Sequence, residues 1–143
     1  MVRINIINPK FLADQHLIAE YNEILMLLGY VKKNPKLGIK KIPENYKLGP
    51  GHMLFFKNKL KYLNKRFIII KKEMTNRGFS NNINLDLNIF NKNLINDWEA
   101  TNEDKKIIKK RIIYKINLKP EYYRYYKEKK PKEFFIKMIK NAE

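Results

Sequence analysis

The chain has 143 residues, a length that suits one domain and can bury a core without disulfides or a structural metal. It has no cysteine, which excludes zinc ribbons, iron–sulfur clusters and thiol catalysis, and only two histidines, His16 and His52, too few for a histidine-rich metal site. With 31 Lys and Arg against 14 Asp and Glu, the net charge of +17 repels itself unless it meets a polyanion, nucleic acid first and an anionic membrane surface second.

The abundance of Lys, Asn and Ile is also what AT-rich coding favours, so part of the charge can record genome composition, although the balance still favours nucleic acid. A membrane span needs about 18 apolar residues, and the longest apolar run here is Phe67-Ile68-Ile69-Ile70. The opening Met1-Val2-Arg3-Ile4-Asn5 lacks the apolar stretch of a signal peptide, so the expectation is a soluble, cytoplasmic protein.

In chain order, Asp14 is expected to start a first helix and to cap its free amides with a side-chain oxygen. Leu17, Tyr21, Ile24 and Leu28, flanked by Ile18 and Leu25, recur at helical spacing. His16, Glu20 and Glu23 share another face, within roughly 60° of one another. Residues 34–51, with Pro35, Gly38, Pro43, Gly49, Pro50 and Gly51, form an irregular connection. A second helix from His52 to Arg77 carries the stripe Phe56, Leu60, Leu63, Phe67, Ile70 and Met74, with Lys57, Lys61, Lys65, Lys71 and Lys72 largely off it. Gly78 ends it in a left-handed position. The Asn-rich residues 80–98 are expected to be a long loop with short extended pieces. Thr101 and Asp104 approximate a capping box for a third helix, which must stop before Pro120. A last short helix is placed at 132–140.

Two groups could carry chemistry. Tyr122-Tyr123-Arg124-Tyr125-Tyr126-Lys127 offers ring faces for bases and cations for phosphates; base stacking is worth ~1–3 kcal/mol per base. Sealing the core with hydroxyls in water accounts for these tyrosines equally well, and two of the four are expected to do so. Glu20 and Glu23 are the acid/base candidates near the N-terminus, although solvation or pairing with lysine explains either. Phosphate loops, Gly-x-Ser-x-Gly, Cys/His pairs and metal-ligand clusters are missing, which leaves a lysine or the terminal amine as nucleophile.

The run Arg3-Ile4-Asn5 followed by Leu12-Ala13-Asp14-Gln15-His16-Leu17-Ile18-Ala19-Glu20-Tyr21-Asn22-Glu23 resembles the opening of the phage-type pyrimidine-dimer DNA glycosylase/abasic-site lyases. The likeness continues through Val31-Lys32-Lys33, Leu48-Gly49-Pro50-Gly51-His52, Phe55-Phe56, Lys59-Leu60 and Arg77-Gly78-Phe79. Arg111, Lys115 and Lys119, followed by Pro120 through Lys127, resemble the family's closing aromatic–basic motif. It is weakest at about 34–44 and 80–105.

That resemblance implies an all-α, compact single domain over residues 1–143, with three main helices, an N-terminal segment threaded between them and an aromatic/basic C-terminal tail. It implies a monomer that needs no cofactor or metal and acts on double-stranded DNA containing UV-induced cyclobutane dimers or abasic sites. The implied chemistry is base excision by glycosylase action followed by β-elimination at the abasic site. The implied nucleophile is the amine of Val2, exposed once Met1 is removed, which forms an imine (Schiff base) with the sugar; Glu23 assists. An α-amine ordinarily has a pKa of ~7.7–8.0 against ~10.4 for lysine, so more of it is neutral at pH 7, and Arg3 nearby favours that form. Arg3, Gln15, His16, Lys33, Arg111, Lys115, Lys119, Arg124 and Lys127 are implied on the DNA surface, with Tyr122, Tyr123, Tyr125 and Tyr126 supporting the distorted strand. Three positions depart from the family pattern: Val2 stands where the pattern has threonine, and Asn22 and Met26 stand where it has arginines. The departures keep open a lyase confined to abasic or oxidised sites, and an inactive DNA-binding relative.

Overall fold

Leu17, Tyr21, Ile24 and Leu28 are all buried along one side of α1 (Asp14–Lys33) in the computed structural model, which describes residues 3–143. The helix begins at Asp14 as expected, and a carboxylate there suits the positive helix end. It is not a capping side chain, however. The N-cap is Ala13, without a side-chain hydrogen bond, and the Asp14 carboxylate accepts instead from the Tyr126 and Lys127 amides and from Arg77.

The expected second helix is two: α2 (His52–Phe55) and α3 (Leu60–Asn76). At the break the Lys59 amide donates to Phe56, three residues back, and the Lys59 ammonium takes the Phe55 carbonyl at 2.8 Å. Phe56 and Leu60 both remain buried across the break, so the apolar stripe survives an interruption that periodicity cannot register. Lys57 is buried, contrary to its expected place off the stripe. Gly78 has φ of +79° after α3; its amide bonds Thr75 and that of Phe79 bonds Met74 at 2.8 Å, the paired closure of a Schellman motif.

Residues 80–98 contain 3-10 turns at Leu87–Ile89 and Lys92–Leu94 rather than extended pieces. Asp86 and Asn91 accept the amides two residues on and divert the chain into turns. Thr101 and Asp104 form the reciprocal capping box of α4 (Asn102–Leu118), which ends before Pro120. Helix α5 (Lys132–Lys140) lies where expected and packs on α4.

Between them, β1 (Arg124–Tyr125) pairs antiparallel with β2 (Glu128–Lys129). Tyr126 and Lys127 at its turn have φ of +51° and +67°, the geometry of a type I′ turn, without the Asn-Gly that usually announces one. The Asp14 carboxylate, receiving both amides, offsets the strain.

Among the described residues the architecture is therefore mostly helical, with three long helices, two short ones and this small hairpin. One core runs from Ile4 to Ala142. Its fully buried phenylalanines, Phe55, Phe56, Phe67 and Phe135, each contribute about 1.5–3 kcal/mol.

Candidate active site

Residues 3–5 have no strand partner, yet each amide is accepted by a side chain. The Arg3 amide donates to Glu23, the Ile4 amide to His52 Nε2 at 2.7 Å, and the Asn5 amide to Glu20 Oε1 at 3.1 Å. Tyr46 donates its hydroxyl to the Ile4 carbonyl at 3.2 Å. His52 Nδ1 lies 2.8 Å from the Lys47 carbonyl, so Nδ1 carries the proton and Nε2 accepts. Burial lowers the imidazole's pKa, in keeping with this neutral form. Ile6 then turns at φ of +47°, a conformation costly for a β-branched residue, and directs the Ile7 carbonyl to Arg66.

Glu20 and Glu23 have different roles despite sharing a helix face. Glu20 is fully buried and forms a fork with Arg66, whose Nε and Nη2 stand 2.5 and 3.0 Å from its oxygens. It is a buried counter-ion to Arg66. Glu23 instead accepts the Arg3 amide. Partial burial pushes its carboxyl up to about 7, while the Arg3 amide and guanidinium pull the other way. At neutral pH this group both holds and releases a proton, as acid–base catalysis requires.

Cations gather around Arg3. Burial first, and then the charge of Arg111, lowers the pKa of Arg3. Lys115 is lowered by burial and by Arg111, Arg3 and Lys119. Arg3 and Lys115 thus stand close enough to other cations to feel their charge. His16 is held down to about 4 by burial, with Arg3 and Lys115 adding to the effect, so the ring is neutral at pH 7. Its face lies 4.8 Å from Tyr123. Its Nδ1, like the Arg111 Nε, is buried without a hydrogen-bond partner among the described residues.

The other expected residues are spread further. The Gln15 amide grips the tail backbone, donating to the Tyr122 carbonyl and accepting from the Arg124 amide, both at 3.0 Å. Tyr122 is 56% exposed, whereas Tyr123 is buried against His16 and Phe135. Tyr125 and Tyr126 flank the Arg77 guanidinium and donate their hydroxyls to the Lys10 carbonyl and to Glu73. Lys127 reaches the Gly78 carbonyl. Arg124 and Lys33 are exposed, Lys33 in the last turn of α1, ten residues or ~15 Å along the axis from Glu23. Asn22 is exposed and Met26 is 55% exposed. Val2 lies outside the described residues.

Sequence reasoning missed Tyr46, His52 and Arg66 as the groups that hold the N-terminal segment. The only sign of them was His52 within the Gly-Pro-Gly-His block. Among the described residues no three His, Asp or Glu side chains gather to hold a metal ion, and no helix is long and apolar enough to cross a membrane.

A mostly helical, strongly basic protein with a carboxyl raised to about 7 beside Arg3 has the form of an enzyme acting on a polyanion. The model of the pyrimidine dimer DNA glycosylase family matches residues 1–87, and the chain belongs to that family. The matched span contains Arg3, Gln15, His16, Glu23 and Lys33; α4 and the tyrosine tail lie beyond it.

Proposed function

We propose that this DNA repair glycosylase is also an abasic-site lyase whose nucleophile is the Val2 amine. The observation that carries the reading is the hydrogen bond from the Arg3 amide to Glu23. That amide belongs to the peptide bond joining residues 2 and 3, so the carboxyl with a pKa of about 7 lies within two residues of the N-terminus left by Met1 removal.

The amine lone pair attacks the sugar C1′ as the glycosidic C1′–N bond breaks, and the electron pair leaves with the pyrimidine. Loss of the amine proton and opening of the sugar ring give an imine. Glu23, protonated about half the time at neutral pH, supplies a proton to the ring oxygen. As carboxylate it stabilises the positive charge developing at C1′. Removal of a C2′ proton then expels the 3′ phosphate by β-elimination and nicks the strand. Arg3, Arg111, Lys115 and Lys119 hold phosphates of the distorted backbone, and exposed Tyr122 offers a face to an unstacked base. The partner is double-stranded DNA carrying a dimer or an abasic site.

A second reading, a lyase working mainly on abasic or oxidised sites, is favoured by Asn22 and Met26. Both are exposed on α1, beside Glu23 in the sequence, and neither can grip a phosphate electrostatically.

Borohydride trapping on dimer-containing and abasic duplexes, with the adduct mapped by mass spectrometry, tests both. The expected result is a covalent adduct on the Val2 amine with either duplex, absent when Met1 is retained. An adduct with the abasic duplex alone selects the second reading. No adduct, despite confirmed Met1 removal and good DNA binding, leaves a DNA-binding relative without this chemistry.

A further inference from the structure

Away from Glu23, residues 35–41 and 89–93 face one another across a cleft of about 890 Å3. Lys36, Lys40 and Lys41 line it and are exposed, as are Leu37 (58%) and Ile89 (57%). The first of these loops is built from inside. Lys57, 1% exposed, lies over the Tyr30 ring and donates its ammonium to the Asn34 and Leu37 carbonyls. Gly38, at φ of +74°, occupies a position where a Cβ would come within 2.9 Å of the Leu54 side chain. A lysine drawn into the interior to fix a loop that itself displays three more lysines is a costly arrangement for a mere connection. Among the described residues no Asp or Glu lines it; Glu44 lines an adjoining cleft that shares Ile39 and Asn93.

We infer that this cleft is a second DNA-contacting surface, which holds the duplex backbone outside the lesion. The inference rests on the DNA repair reading above. Lys36, Lys40 and Lys41 match phosphates in charge, and Leu37 and Ile89 suit the apolar faces of the sugars. The cleft follows directly on the end of α1, where Lys33 stands ~15 Å along the axis from Glu23. At ~3.4 Å per nucleotide that offset corresponds to roughly 4–5 base pairs. An anionic bilayer takes up apolar residues from the face of an amphipathic helix, whereas here they line a cleft between two loops.

The test compares the full chain with a Lys36→Gln/Lys40→Gln/Lys41→Gln variant, matched for thermal melting, on long undamaged duplex DNA across a salt series. The slope of log K against log[salt] is expected to shrink by about 0.9 for each lysine that meets a phosphate, up to ~2.7 in all. On abasic duplex the KM should rise while kcat holds. A slope and KM unchanged in the variant overturn the inference, as does flotation with phosphatidylserine vesicles under conditions where duplex is not bound. If the variant matches a wild type that both nicks and binds duplex, only this surface falls. A wild type that does neither overturns the repair reading and this surface with it.

Discussion

Glu20 and Glu23 are close on one helix face, and burial with pairing separates them. Glu20 is held to buried Arg66, so Glu20→Ala strands a guanidinium in the core, and the expected loss in urea denaturation is about 3–5 kcal/mol. A loss below ~1 kcal/mol would show that the pair does not hold the N-terminal segment. Glu23 behaves in the opposite sense. Its folded pKa, about 7, lies above the usual 4.5, so between those values the folded state binds the extra proton. Its contribution to stability is therefore fully present below pH 4.5 and is lost as pH rises through 7. Glu23→Gln should remove that slope, and its melting temperature should gain on wild type from pH 5 to pH 8. The same variant should lose strand nicking while still binding DNA. A melting difference independent of pH would mean the carboxyl is not raised at all. The helical wheel puts both glutamates on one face, but only Arg66, 46 residues away, tells them apart.

Among the elements, those governed by local rules were legible. The capping box at Thr101, the stop before Pro120, the left-handed Gly78 and the helix at 132–140 each depend on residues within one or two turns of one another. The break at residues 56–59 and the hairpin at 124–129 were not legible, because distant groups hold them: Asn34 and Leu37 for Lys57, and Asp14 for the turn amides of Tyr126 and Lys127. A hydrogen bond to a charged group is worth ~1.5–3 kcal/mol. Asp14→Asn should therefore speed exchange of the Tyr126 and Lys127 amides by about tenfold or more, while Ile24 and Phe67 stay protected. Unchanged exchange would mean the hairpin holds itself. Because Gln15 grips the Tyr122 carbonyl and the Arg124 amide, the first turn of α1 sets where the tail's exposed ring and cation stand.

At the scale of the whole molecule, +17 on 143 residues couples stability to the solution around it. A duplex that binds only the folded chain stabilises it by mass action, and counterion release makes that binding weaken steeply with salt. The melting temperature should rise on adding undamaged duplex at about 50 mM salt and the rise should shrink strongly by about 200 mM; a shift indifferent to salt would mean that phosphates are not the contact. Composition, helical period, caps and the motif blocks between Arg3 and Gly78 determined from the sequence alone that the chain is helical, basic and a member of a DNA repair family, because these signals are local or additive. Only the tertiary structure decided which glutamate is paired in the core, which tyrosines are sealed there and which lysine is buried. Burial and pairing are properties of what the rest of the chain brings alongside, and no residue carries them in its own neighbourhood of the sequence.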